Sequence, residues 1–282
     1  MIIVIDALNK DRFADLLDQM FLLRGRVFGD RLGWEVEIED GREIDQFDRL
    51  DPAYVIGLDD EGHVISCVRA LQTTGPHMLS DVFQVLLDGE PPLRSATLWE
   101  STRFCVDTER LCRDGSTMKA VSLATCELMI GSLEFARRSG IADIITVIDP
   151  VINRILKRSD NAPYDYVGST KQMGKVAAMA ALLDCTEERI NRVRAFAGIH
   201  HDVFASEDAV RALLDAKKAG AVLPDIDTEM DGPDLPVTPQ DIQTYCREQL
   251  DAACTDEERA AARKLVDILL RQRIHPGVRH LV

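Results

Sequence analysis

The chain has 282 residues and a formal net charge of −15, with 48 acidic against 33 basic side chains. That balance excludes nucleic acid as the main partner, because phosphate binding needs a basic footprint. A hydrophobic share of 46% suits a folded protein with a sizeable core, and no apolar run approaches the ~20 residues of a spanning helix, so no membrane partner is expected.

IIVID (2–6) reads as a first strand. It reaches Asp6 too soon for a signal peptide, so a cytoplasmic protein is expected. Asn9 is a candidate cap for a helix with Phe13, Leu16, Leu17, Met20, Leu23 and Val27 at helical spacing. The stretch 30–50 is polar, carries Gly33 and Gly41 and has no clear period; a loop of that length is often functional. YVIGL (54–58), DDEGH and VISCVRALQ (64–72) predict a hairpin, MLSDVFQVLL (78–87) a short helix, and LWESTRFCV (98–106) a strand. A long helix follows over roughly 117–139, closed by Gly140, then the apolar strand ADIITVI (142–148). Asp149-Pro150 marks a helix start with proline at its first position. GKVAAMAALL (174–183) fits strand or helix, and EERINRVRAFA (187–197) is helical.

Past about residue 200 only helices are predicted: 206–219, 239–250, and 256–272 with a capping box from Thr255 to Glu258. Between the first two lies the proline- and acid-rich PDIDTEMDGPDLPVTP, read as a linker. The expected organisation is an α/β domain over 1–200 and a helical C-terminal extension over 201–282, with no internal repeat. The seven cysteines form no CxxC pair, there is no HExxH, and adjacent His200 and His201 point apart, so neither a disulfide framework nor a metal site is expected.

Several charges sit in apolar settings and need a reason. Arg24 lies in MFLLRGRVF, Arg69 in VISCVRAL, and Glu100 and Arg103 in WESTRFCV. Asp45 and Asp48 punctuate EIDQFDRLD, near Trp34. Singly, such arginines snorkel and such acids cap turns. Together they suit a ligand that bears both charges, such as an amino-acid head group: arginine pairs with its carboxylate, aspartate with its ammonium, and Phe28 and Trp34 with a cationic or flat portion.

The run Arg24, Phe28, Trp34, Asp45, Asp48, Arg69, then Glu100-x-Thr102-Arg103-Phe104, resembles the signature of the LuxI-type acyl-homoserine lactone synthases. A weaker resemblance continues to about residue 197, and the tail beyond lies outside it. The resemblance implies an α/β, GNAT-like acyltransferase fold with a central mixed sheet flanked by helices. It implies transfer of an acyl chain, usually from acyl carrier protein, to the amine of S-adenosylmethionine, followed by lactone closure and loss of methylthioadenosine. S-adenosylmethionine is then a substrate, and no cofactor is implied.

Glu100 is the candidate base that deprotonates the amine. Asp45 and Asp48 would hold the amine or order their loop. Arg24, Arg69 and Arg103 would bind carboxylate or carboxylate networks, with Phe28, Trp34 and Phe104 completing the S-adenosylmethionine site. Backbone N–H groups near Phe104 to Val106 are candidate oxyanion donors if the strand splays there. Candidates for the acyl pocket are Thr102, Val106, Met118, Leu123, Cys126, Ile144 and Thr146. Thr146 aligns with a family position where threonine accompanies 3-oxo chains. Carrier-protein docking needs a local basic patch on an acidic chain, and Arg154, Lys157 and Arg158 supply one, with Arg137-Arg138 and Lys171-Lys175 as further basic pairs.

Two other classes compete. A GNAT-type N-acyltransferase using acyl-CoA would want a glycine-rich pyrophosphate turn, where DTERLCRDGSTM offers Gly115 alone. A non-catalytic sensor of S-adenosylmethionine or a lactone would dispense with Glu100 or Arg103. The strand adds a geometric expectation. Strict alternation puts Glu100, Thr102 and Phe104 on one face and Arg103 on the other. If Glu100 and Arg103 serve one site, the strand carries a bulge.

Overall fold

The structure, a computed structural model, describes residues 1–113, 118–174, 176–218 and 263, with backbone alone for 113 and 118–120. The expected helices at 239–250 and 256–272, the linker before them, the Gly115 turn, Lys175 and the Met118 side chain lie outside the described part. The chain divides into two compact units, Met1–Pro224 and Asp225–Val282, and the sheet with its helices belongs to the first.

The apolar opening forms β1 (Ile2–Ile5), buried almost throughout. Asn9 does not cap the next helix. Its amide instead donates to the Val4 carbonyl and Glu207, and the chain enters α1 (Ala14–Arg24) through a 3-10 turn, Lys10–Phe13. The helix then widens into a π-helical stretch, Gly25–Arg31. The stretch read as a loop contains a two-residue hairpin, β2 (Ile38–Glu39) and β3 (Arg42–Glu43), which turns through Asp40 and Gly41, both at positive φ. A 3-10 turn, Gln46–Leu50, follows. The predicted hairpin is β4 (Ala53–Leu58) and β5 (Val64–Gln72). The expected helix over 78–87 is broken into α2 (Met78–Asp81) and a 3-10 turn, Gln84–Leu87.

Next come β6 (Leu98–Val106), α3 (Thr108–Arg113), α4 (Met118–Arg138) and β7 (Asp143–Ile148). Asp149 caps α5 (Pro150–Arg158) by accepting the Ile152 N–H at 2.7 Å. An unanticipated strand, β8 (Asp165–Met173), precedes β9 (Val176–Asp184), where the sequence fits strand or helix and the chain forms strand. Helices α6 (Glu187–Ala197) and α7 (Glu207–Lys218) follow.

Seven of the nine described strands make one sheet in the order β1-β4-β5-β6-β7-β9-β8. Every pair is antiparallel except β6–β7. Helix α4 covers one face, and Gly131 lets it approach closely, since a Cβ there would meet Ile2 at 3.1 Å. The other face carries α1, the β2–β3 hairpin and α2. Residues 201–218 are part of this body. Ile2 exchanges backbone hydrogen bonds with Val203 and Ala205, and Val210 and Leu213 of α7 are buried. The free edge of β1 is thereby covered, which removes an exposed template for strand pairing.

Candidate active site

The site is built where the buried guanidinium groups of Arg24 and Arg69 and the partly buried one of Arg103 meet three carboxylates. Arg24, at the end of α1, donates through Nε to Glu43 at 2.6 Å and through both terminal nitrogens to Asp48 at 2.8 and 2.9 Å. Arg69, in the middle of β5, donates to Asp45 and Asp48, and through Nε to the Thr102 hydroxyl at 3.0 Å. Arg103 donates to Glu43 and, at 2.9 Å, to Asp45. Tyr54 adds its hydroxyl to Asp48 at 2.7 Å. Asp45 also caps the turn Gln46–Leu50 by accepting the Phe47 N–H, and Asp48, within that turn, closes a capping box by accepting the Asp45 N–H. The structural and the site roles of these two acids therefore coincide.

Three cations face three anions, so the cluster is neutral. Burial alone would lower the pKa of Arg24, but the hydrogen bonds and charges of Asp48 and Glu43 outweigh it and raise it. Burial would raise Asp48, but Arg24 and Arg69 hold its carboxyl well below the usual range. Removing one member would strand a buried charge, at a cost of about 3–5 kcal/mol.

Glu43 is absent from the sequence-derived set. It arrives on the hairpin, which docks tightly because Gly25 has no side chain: a Cβ there would lie 2.1 Å from the Gly41 carbonyl oxygen. The Asp40-Gly41 pair is the signal that marks such a turn. The π-helical stretch turns Phe28 inward. Arg103 lies over its ring at 5.5 Å, and Trp34 packs on it at 5.0 Å with 39% of its own surface exposed.

Strand β6 carries the expected bulge. Cys67 faces Cys105 and Arg69 faces Thr102, so Arg103 and Phe104 together oppose Val68. Arg103 has φ +55°, a left-handed conformation that costs a non-glycine residue roughly 1–2 kcal/mol. Its bonds to Glu43 and Asp45 offset this. The alternation expectation is corrected accordingly. Arg103 joins Thr102 on the arginine face, while Phe104 turns to the α4 side among Leu111, Val121 and Leu123. Thr102 is thus with Arg69 rather than with the acyl-pocket candidates, and Phe104 is apart from the arginines.

Among the described residues no arginine hydrogen-bonds Glu100, although the charge of Arg69 acts on it. The glutamate is fully buried and accepts two backbone N–H groups from the first turn of α2, Met78 at 2.6 Å and Leu79 at 2.7 Å. Burial pushes its pKa up to about 7 even though these bonds favour the ionised form. A carboxyl so held is a proton acceptor poised near neutrality.

The β6–β7 ladder ends at Ser101 opposite Thr146, although β6 runs on to Val106 and β7 to Ile148. The two parallel strands part there, and the β6 edge from Thr102 onward has no β7 partner. On the α4 side of this opening lie Phe104, Ile148, Leu123, Cys126, Ile152 and Met179 in one apolar cluster, with Val106 in an adjoining one. Thr146 is buried there and donates its hydroxyl to the Ser101 carbonyl at 3.0 Å. Ile144 packs further along, with Leu133, Ile141 and Leu183.

Of the docking candidates on α5, Lys157 and Arg158 are exposed, and Arg154 has a buried Nη1 that meets no hydrogen-bond partner among the described residues. Arg137 and Arg138 pair with Glu187 and Glu134, and Lys171 with Asp88. Among the described residues one group has metal-ligand geometry, Asp59, Glu61 and His63. Arg110 contacts all three, so the protein supplies its own cation there.

A mixed sheet whose parallel pair parts beside a buried carboxylate defines a GNAT-like acyltransferase fold. Residues 8–193 match the family described as autoinducer synthase. An acyl-homoserine-lactone synthase of Agrobacterium fabrum is 37% identical over 183 residues, covering 65% of this chain and 85% of that protein. Among solved structures, the chain is similar to the AHL synthase LasI (28% identity, TM-score 0.59, 69% of this chain and 94% of that one). It is also similar to BjaI, a CoA-dependent acyl-homoserine lactone synthase determined with SAM and isopentyl-CoA (26% identity, TM-score 0.62, 76% and 98%). The chain belongs to the autoinducer synthase family, the acyl-homoserine-lactone synthases, and is an acyltransferase.

Proposed function

We propose that the chain transfers an acyl group from a thioester to the amine of S-adenosylmethionine and then closes the lactone, releasing methylthioadenosine. The observation that carries this reading is Glu100: a buried carboxyl held near 7, one residue from the arginine cluster through Met78. The ammonium must lose a proton before it attacks the thioester, and Glu100, directly or through water, takes it. Backbone donors on the unpaired edge of β6 stabilise the tetrahedral oxyanion. Lactone closure asks less of the protein, because the sulfonium is already a good leaving group. The site has mainly to fold the methionine chain so that its carboxylate faces the γ carbon.

The acyl chain enters where β6 and β7 part and lies against the α4 cluster. A preference for 3-oxo chains rests on Thr146, whose single hydroxyl proton must leave the Ser101 carbonyl to meet a 3-oxo group. The donor in this reading is acyl carrier protein, docking on α5, where Arg154, Lys157 and Arg158 lie beside the exposed Val151 and Ile155 of a chain that carries −15 overall. Acyl-CoA is the second reading, favoured by the similarity to two CoA-dependent synthases, MesI and BjaI. The cytosol is the proposed location, a reading supported by five free cysteines among the described residues; no described helix is long and apolar enough to cross a membrane.

Incubating the protein with S-adenosylmethionine and a panel of saturated and 3-oxo acyl carrier proteins and acyl-CoAs, with products read by mass spectrometry, tests all three parts. An N-acyl-homoserine lactone from carrier-protein donors is the expected result. Lactone from CoA donors alone would replace the donor assignment, and no lactone from any donor would sink the reading.

A further inference from the structure

The donors of the arginine cluster are nearly all taken. Every guanidinium nitrogen of Arg24 bonds Glu43 or Asp48. Arg69 spends Nε on Thr102 and Nη1 on Asp45 and Asp48. Two positions differ. Arg103 Nη1 meets, among the described residues, the Met78 thioether at 3.4 Å and nothing else, and Arg69 Nη2 shares its bonds between Asp45 and the same sulfur at 3.3 Å. A thioether is a weak acceptor. A carboxylate in its place would make charge-assisted bonds of roughly twice the strength.

Exposure points to the same spot. The Arg24 and Glu43 side chains are 0% exposed and Asp48 3%, whereas Arg103 is 9% and Asp45 16% exposed. The cluster therefore meets solvent along its Arg103–Asp45 edge, beside Phe28 and the exposed Trp34. Its neutrality selects among ligands. A head group with both an ammonium and a carboxylate enters without unbalancing three cations and three anions, while a simple carboxylic acid adds a buried negative charge.

We propose that Met78 holds the seat of the substrate's carboxylate: its thioether covers the free donors of Arg103 and Arg69 and gives way when an α-amino-acid head group binds, with the ammonium facing Asp45. Arg103, assisted by Arg69, grips the carboxylate, and Arg24 is a structural brace for Glu43 and Asp48. The Met78 N–H bonds Glu100, so the residue that yields to the head group is also the one that positions the base. The seat rests on S-adenosylmethionine being the substrate, and the test separates the two.

Calorimetric titration of the full chain with S-adenosylmethionine and with methylthioadenosine, which lacks the amino-acid head group, reads the seat directly. In Met78→Glu the new carboxylate fills the seat permanently. S-adenosylmethionine is expected to bind at least about tenfold more weakly, a loss of roughly 1.4 kcal/mol, with methylthioadenosine affinity kept within about twofold, which also shows that the variant is folded. Met78→Gln, closer in volume and neutral, is expected to shift the ratio of the two affinities in the same direction by a few-fold and serves if the glutamate variant does not fold. Equal affinities of wild type and variants for S-adenosylmethionine, or a parallel loss for both ligands, would overturn the seat while leaving the substrate in place. A wild-type protein that binds methylthioadenosine but not S-adenosylmethionine would overturn the substrate and the seat together.

Discussion

Replacing Glu100 by glutamine keeps the shape of the side chain and removes its charge, which separates its role in proton transfer from its burden on the fold. The carboxyl is held at about 7 against an ordinary 4.5, a gap worth roughly 3 kcal/mol in favour of the neutral form. The folded state binds this proton more tightly than the unfolded chain does. The resulting stability is therefore present in full below about pH 4.5 and is lost as pH rises through about 7. Glutamine has no such proton, but its amide nitrogen faces a backbone N–H where the carboxylate offered oxygen, leaving a buried donor unpaired at about 1–3 kcal/mol. Glu100→Gln is expected to be less stable than wild type near pH 5, and to close or reverse the gap by roughly 2–3 kcal/mol by about pH 8. Urea unfolding of both proteins across that range measures this. In wild type kcat/KM should rise with pH along a limb near 7, and the variant should lose the limb along with about a hundredfold or more of its rate. Parallel stability curves and an unchanged limb in the variant would refute the reasoning.

Thr146→Val removes the hydroxyl from the Ser101 carbonyl, at about 1 kcal/mol of stability. It should flatten any preference for 3-oxo over saturated donors, and an unaltered product profile in a competition assay would reject that role. Gly25→Ala drives a methyl into the Gly41 carbonyl; a loss of about 1–3 kcal/mol is expected by thermal melting, together with weakened activity, because the displaced hairpin carries Glu43. Ending the chain after residue 200 bares the β1 edge and the surfaces under Val203, Val210 and Leu213. A loss on the order of 5 kcal/mol is expected, and a truncated protein as stable as the full chain would show that this segment does not belong to the body.

The site was legible in the sequence wherever a charge stood in an apolar run, because a buried charge demands a partner: Arg24, Arg69 and Arg103 announced themselves in this way, and the acids at 45 and 48 supplied the complement. Glu43 did not, because it lies in a polar stretch where a carboxylate needs no explanation; only the Asp40-Gly41 turn hints that the stretch folds back. The bulge in β6 follows from requiring Glu100 and Arg103 to serve one site, yet alternation alone assigns Phe104 and Thr102 to the wrong neighbours. The strand at 165–173 went unseen for a different reason. As the outer strand of the sheet it is solvated along much of its length, so its residues show no apolar alternation. The break in the helix after Asp81 and the failure of Asn9 to cap are tertiary effects: Glu100 claims the first turn of α2, and Val4 and Glu207 claim the asparagine.

The central claim is that one site joins an acyl thioester to S-adenosylmethionine and then closes the ring. The most direct test is to quantify, in a single reaction, the free thiol, the acyl-homoserine lactone and the methylthioadenosine released. The three are expected in equal amounts throughout the time course. Thiol released without lactone or methylthioadenosine would mean that the acyl group goes to water or to another amine, and would contradict the account.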